Sequence, residues 1–242
     1  MSIKKKINSL RSAFFGVLTR RIGQRRNLPT GGSIQASSIR SVLVCRPNHR
    51  LGNQLLITPL IQEISTTFPQ AKIDLFVKGN IARTLFKEYD CIDTVFQLPK
   101  KPFKDIISYL RGWLQLRRKK YDLVINVISS SSSGRLSAKF ARGRIKFFGD
   151  VSEQIKNSYP DSAHMAAYPV YHLRENLERL GLAQQYQGVP PLSIKLTPWE
   201  LTEGAKILRN ISESEKPVIC IYTFATGAKC YDKQWWSAFY QE

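Results

Sequence analysis

From Ile39 onward the chain alternates short apolar runs with longer amphipathic segments. Runs rich in Val, Ile, Leu and Phe fall at residues 41–45, 72–77, 94–98, 121–127 and 144–148, each the length of a strand. Between them, residues 54–67, 81–89, 103–119 and 134–141 repeat apolar positions at three- and four-residue steps and predict helices. Strand and helix in alternation predict an α/β fold: a doubly wound, Rossmann-like parallel sheet with right-handed crossovers and helices on both faces. Pro59 inside the first helix predicts a kink or a late start. Residues 150–169 are irregular. Residues 170–182 then read as a helix, with Leu173, Leu177 and Leu180 on one face and Gly181 as its stop. Pro190 and Pro191 mark a turn, and residues 198–209 form another helix with Pro198 in its first turn. At 216–224 a new buried-strand pattern begins, followed by a loop at 225–232 and a helix from Lys233. The pattern divides the chain into an arm and linker at 1–38, a first domain at 39–212 and the opening βα unit of a second α/β domain at 213–242. The expectation is the front part of a two-domain protein, truncated just inside its second domain.

Charge narrows the partners. Lys and Arg number 37 against 18 acids, a formal net charge of +19, which calls for an anionic partner: nucleic acid, a phosphorylated membrane surface or a phosphate-bearing substrate. Residues 1–30 carry eight basic residues and no acid, while Ile7, Leu10, Phe14, Leu18 and Ile22 form an apolar stripe at helical spacing. Such a helix suits the headgroup plane of an anionic membrane; the alternatives are a solvated arm or a helix docked on its own domain. Residues 28–38, uncharged and rich in Gly and Ser, read as a linker. No apolar run approaches the ~20 residues that span a bilayer. The apolar core at 13–18 is too short for a secretory signal and is followed by arginines. The four cysteines show no paired spacing, and Cys45 and Cys220 lie in apolar runs, which favours buried thiols in a reducing compartment. The three histidines have no metal-ligand spacing. A cytoplasmic protein, soluble or peripheral on a membrane, fits these features.

Candidate chemistry gathers in the first βα unit, residues 41–61, because ligands of open α/β sheets bind at the carboxyl ends of the strands. Arg46 and Arg50 flank its loop and could clamp phosphates or carboxylates bidentately. Gly52 implies a backbone need, either φ > 0 or close approach of a ligand. Asn53 could cap the helix that follows or orient a ligand hydroxyl. His49, with an ordinary pKa of ~6.5, is suited to act as a base. After the fourth strand, Asn126, the serine run including Ser130, and Arg135 lie on the same edge; serine hydroxyls suit sugar or phosphate, or simply form a flexible loop.

Taken in order, these residues resemble glycosyltransferase family 9, the heptosyltransferase-like enzymes of lipopolysaccharide inner-core assembly. The matching pieces are RPNHRLGNQLLITPL from Arg46 to Leu60, PQAKID ending at Asp74, KKYDLVIN from Lys119 to Asn126, and HLRENLERLG from His172 to Gly181. A weaker match runs from Thr223 to Trp235. The resemblance implies a GT-B fold of two facing Rossmann-like domains, with the acceptor on the first and a nucleotide-sugar on the second. It implies an inverting, metal-independent transfer with no cofactor, of heptose from ADP-heptose to a phosphorylated lipid A–Kdo or core oligosaccharide acceptor. By the same resemblance Arg46, Arg50, Gly52, Asn126, Ser130 and Arg135 sit on the acceptor side. Thr226, Gly227 and Lys233 would meet the donor phosphates. The family places Asp at the positions of Asn53, as base, and of Asn126. An amide cannot take a proton, so His49 becomes the substitute base to test. Two other classes remain: a non-catalytic remnant that binds anionic glycolipid, and a nucleic-acid binder, which charge alone suggests and for which no reading motif is present.

Overall fold

The structure, a computed structural model, describes residues 22, 35–100, 105–182, 188–211, 218–219, 221 and 230–241. It divides into two compact units, Met1–Lys195 and Leu196–Glu242.

In the first unit five strands form one parallel sheet: β1 (Ser41–Arg46), β2 (Lys72–Lys78), β3 (Ile92–Leu98), β4 (Lys120–Asn126) and β5 (Arg142–Phe147). Their spatial order is β3-β2-β1-β4-β5, so the chain steps outward on one side of β1 and then returns to its other side. That reversal puts the loop after β1 at the switch point of a doubly wound sheet. The intervening helices are α1 (Leu51–Leu55), α2 (Thr58–Thr67), α3 (Ile81–Leu85), α4 (Ile106–Gln115) and α5 (Ser132–Phe140). After β5 come α6 (Glu153–Ser158) and α7 (Tyr168–Arg179).

Side chains alternate across the strands and feed two cores, one on each face, as a covered parallel sheet requires. On one face Val42, Val44, Ile73, Leu75, Leu123 and Ile125 pack with Ile57, Leu60, Ile64, Val170, Leu173 and Leu177 of α2 and α7. Leu43, Cys45, Phe76 and Val124 face the other way, with Leu116, Ala138, Tyr109 and Trp113. Cys45 lies wholly within this second core, and its burial pushes the thiol up to about 12, an inert group.

Two pieces of the sequence pattern are structural. Asp74, buried in β2, accepts hydrogen bonds from the Tyr121 hydroxyl at 2.8 Å and from Thr94 N at 3.2 Å. Lys119 Nζ sits 3.1 Å from Asp74 and 2.8 Å from Asp93. Burial, reinforced by the Asp74 carboxylate, drives the Tyr121 phenol upward, so it stays a donor. Asp122 receives the backbone N–H groups of Arg40 and Ser41 at 3.0 and 3.1 Å, tying β1 to β4 at their starts. PQAKID and KKYD thus meet at the edge opposite the ligand loops. A second tie joins α2 to α7, where the half-buried Arg174 grips Glu63 through Nε and Nη2 at 2.6 and 2.9 Å.

Helix boundaries differ from the sequence pattern in several places, among them α4, which ends at Gln115 rather than Lys119. The helix expected over 54–67 is two helices: α1 starts earlier, at Leu51, and α2 starts at Thr58 with Pro59 in its first turn, where a missing N–H costs nothing. The third helix stops at Leu85 rather than Tyr89. Within 150–169, which reads as irregular, α6 forms around the cap Ser152, whose Oγ accepts from Ile155 N at 3.3 Å. Gly181 does end α7, with φ +73.

The second unit contains α8 (Pro198–Ile211) and α9 (Lys233–Gln241). Asp232 caps α9 by accepting from Trp235 N at 2.8 Å. Of the buried strand expected at 216–224 only Val218, Ile219 and Ile221 are described, and they are exposed and form no strand. The boundary at 212/213, Cys220, Thr226, Gly227 and the arm stripe apart from Ile22 lie outside the described residues.

Candidate functional site

The carboxyl edge of the sheet is built from the loops after each strand. At its centre β1 ends in Arg46, between Val77 of β2 and the strand end of β4. Arg46 is 7% exposed, and its Nε is buried without a partner. Among the described residues its side chain makes no hydrogen bond or ion pair, and burial lowers its pKa from the ordinary arginine value. A buried guanidinium that no described carboxylate compensates is costly to hold.

The loop after Arg46 is held rigidly. Asn48 N donates to Arg46 O at 2.6 Å, and Asn48 Oδ1 accepts from Arg50 N at 2.9 Å, an Asx turn. Gln54, fully buried, donates through Nε2 to Asn48 O at 2.8 Å and to Lys78 O at 3.3 Å, fastening the loop to the end of β2. His49, Arg50 and Gly52 are exposed along this edge, with Asn53 half-buried. Two expectations change here. Arg50, not Asn53, occupies the capping position, and Asn53 is the third residue of α1. Gly52 has no positive φ, and a Cβ there would meet nothing within 4 Å, so the protein itself does not require glycine; the space above it is open.

On the β4 and β5 side two of the three residues expected on the acceptor side, Asn126 and Arg135, are engaged internally. Asn126 is completely buried, and its Nδ2 donates to Ile128 O and Phe148 O, both at 2.8 Å. The amide is required there because both partners are carbonyls, which an aspartate could not satisfy. Arg135 is 3% exposed and spends its donors on Ser129 O at 2.6 Å, Ile22 O at 2.6 Å and the Asp150 carboxylate. It therefore ties the β4 loop, the segment at Ile22 and the β5 loop together rather than clamping a ligand. Ser130 is exposed on the same loop, while Ser131 caps α5 through Gly134 N at 3.2 Å. Lys233 is exposed at the first position of α9 in the second unit.

Several residues of this edge escaped the sequence reading. Gly149, with φ +89, passes so close to the β4 loop that a Cβ would lie 2.7 Å from Ser129 N. Its N–H donates to His172 Nε2 at 2.9 Å, and the Tyr168 hydroxyl donates to its carbonyl. His172 is buried against Phe147, and burial pulls its pKa down to about 3, so it stays neutral and accepts. Asn176 Nδ2 in turn donates to His172 O at 2.7 Å. The H-x-x-x-N spacing thus builds a bracket for the β5 loop. Asp150 is the single acid in the loop stretches 47–50, 79–80, 99–104, 127–130 and 148–152. Beside β2 and β3, Gly79, Asn80, Gln97, Leu98, Pro99, Lys100 and Ser108 line a cavity of about 490 Å³. No group of three His, Cys, Asp or Glu able to hold a metal ion occurs among the described residues.

No family profile matches the sequence, and no curated protein matches it. Solved structures do. A glycosyl transferase family 9 protein from Veillonella parvula aligns over 77% of this chain and 53% of its own, with a TM-score of 0.55 and 15% identity. The E. coli heptosyltransferase WaaC, solved with ADP-2-deoxy-2-fluoro heptose, aligns over 61% of this chain and 51% of its own, with a TM-score of 0.40 and 16% identity. The chain spans about half the length of each. The Veillonella likeness shows a shared fold: this is an α/β chain built like a glycosyl transferase family 9 protein.

Proposed function

We propose that the chain is the acceptor-side part of a glycosyltransferase that moves a sugar from a nucleotide-sugar onto an anionic acceptor. The observation that carries this reading is Arg46, buried and without a compensating acid at the switch point of the sheet. A phosphate or carboxylate on the acceptor would supply the missing charge bidentately, with the exposed Arg50 alongside it. The open space above Gly52 leaves room for a sugar ring next to both. The shared fold supports the enzyme class. The residue resemblance supports the finer reading: heptose from ADP-heptose, an acceptor of the phosphorylated lipid A–Kdo or core-oligosaccharide type, inversion at the sugar carbon and no metal ion. In that reaction His49, exposed in the loop that leads into the helix carrying Asn53, takes the acceptor proton, and Lys233 meets the donor phosphates.

The geometry also favours a second reading, a glycolipid-binding protein without transfer. Asn53 is an amide, and the acid carried by the edge loops, Asp150, is engaged by Arg135. A transfer assay on the full-length protein with ADP-heptose and lipid A–Kdo separates the two. Transfer that falls on His49→Ala, with acceptor KM raised about tenfold or more by Arg46→Met, supports the enzyme. Acceptor binding without turnover, in both the parent protein and Asn53→Asp, supports the binding protein.

A further inference from the structure

Helix α4 is apolar on both of its faces. Tyr109, Gly112, Trp113 and Leu116 turn inward: Trp113 packs edge-on against Phe76 and Phe140, and a Cβ on Gly112 would come 2.8 Å from Leu98 Cδ2. Most outward positions are apolar too, Ser108 and Arg111 being the exposed polar ones. Ile106, Ile107, Leu110 and Leu114 follow the same helix at three- and four-residue steps and are 56%, 71%, 57% and 60% exposed. A helix that faces water on one side normally carries polar residues there, and a contiguous apolar stripe of this kind marks a contact surface. The stripe has a basic margin. Arg111, Arg117 and Arg118 are exposed beside it or just beyond its end, with Lys120 following. Arg111, Arg118 and Lys120 make no ion pair among the described residues, and the helix itself holds no acid after its cap, Asp105.

We infer that the outer face of α4 docks on the surface of an anionic lipid bilayer, with Ile106, Ile107, Leu110 and Leu114 entering the headgroup–acyl boundary and the arginines meeting lipid phosphates. Charge complementarity selects this occupant. An apolar seam whose margin carries Arg111, Arg117, Arg118 and Lys120 against the single acid Asp105 at its first turn matches a surface that is apolar at depth and anionic above it. A second copy of the chain would bring the same cations against each other. The helix, ten residues long, is too short to cross a membrane, and none of the described helices is long and apolar enough to do so. The inference rests on exposure and charge alone and stands whether or not the chain transfers a sugar.

Flotation of the full chain on phosphatidylcholine vesicles, with and without phosphatidylglycerol, tests it. The parent chain is expected to float with the anionic vesicles, and Ile107→Asp/Leu110→Asp/Leu114→Asp to lose about a hundredfold in vesicle affinity. Ile107→Gln/Leu114→Gln, which adds no charge, is expected to weaken binding in the same direction with unchanged circular dichroism. Arg111→Gln/Arg118→Gln is expected to remove most of the preference for phosphatidylglycerol. Three results overturn the proposal. The parent chain fails to float; the apolar variants float equally well, which assigns lipid binding to the basic arm; or sedimentation shows that the same variants convert a dimer to a monomer, which makes the face an interface between copies.

Discussion

Asn126 shows how a residue's environment can reverse what its type suggests. Beside an acidic family pattern it looks like a lost carboxylate, yet its amide is the only group of that shape that can donate to Ile128 O and Phe148 O together. Asn126→Asp is therefore expected to destabilise the fold by about 2–4 kcal/mol, because a buried carboxylate would face two carbonyls. Urea denaturation checks this, and an unchanged midpoint would return Asn126 to the ligand side. His172 makes an equally specific case. Its folded pKa of about 3 lies below the ordinary imidazole value, with Arg179 and Arg135 adding to the effect of burial. The unfolded chain thus binds a proton that the native state refuses, so the stability it contributes is complete above about pH 6.5 and drains away as pH falls toward 3. His172→Gln, whose side chain still offers an acceptor to Gly149 N, is expected to flatten the urea-midpoint profile between pH 6.5 and about 4 relative to the parent. Parallel profiles would remove the linkage.

At the level of elements, what the sequence made legible was periodicity, and what it hid was tertiary pairing. The five strands and the alternation with helices follow from runs of apolar residues, so sheet and fold class were readable, as was the stop at Gly181. Splitting of the first helix was half visible: Pro59 announced a disturbance, but the turn of helix before it depends on Gln54 reaching Lys78 O across the sheet. Helix α6 was invisible because six mostly polar residues carry no periodic signal. Arg46 and Arg135 are the same residue type at the same sheet edge, and only their surroundings separate an unpaired cation from a threefold staple. The β4 and β5 loops that Arg135 ties together meet at Gly149. Alanine there would require a residue at φ +89 and a Cβ 2.7 Å from Ser129 N, with Ile128 C at 2.9 Å. Because those obstacles are backbone, Gly149→Ala is expected to cost about 3 kcal/mol or more, several degrees in melting temperature, whereas Gly52→Ala, in open space, is expected to change it little. Equal effects of the two would show that the β5 loop is not packed as described.

Across the whole molecule the dominant force not satisfied internally is charge. A net +19 on 242 residues repels itself, and no arrangement of 18 acids can neutralise it. Many of the acids are already engaged in the ion pairs of the first unit, Asp74 and Asp93 with Lys119, Glu63 with Arg174, Glu175 with Arg179 and Asp150 with Arg135. Two stabilising effects of anions are then separable. Screening acts on the whole surface and depends on ionic strength, so raising NaCl from low salt to about 0.5 M is expected to raise the urea midpoint of the parent and of Arg46→Met alike. A site effect acts through Arg46 and depends on shape: pyrophosphate at matched ionic strength is expected to stabilise the parent beyond chloride, and to give Arg46→Met no such excess. In water without added anion, Arg46→Met is expected to be as stable as the parent or more stable by about 1 kcal/mol, since it removes a buried cation that none of the described residues pairs. That sign is the decisive part. A guanidinium kept for the fold would make its removal costly, whereas one kept for an incoming anion makes removal harmless to stability and harmful only to binding. A loss of several kcal/mol on Arg46→Met, with the pyrophosphate excess intact, would place the anion elsewhere on this edge and return Arg46 to the scaffold.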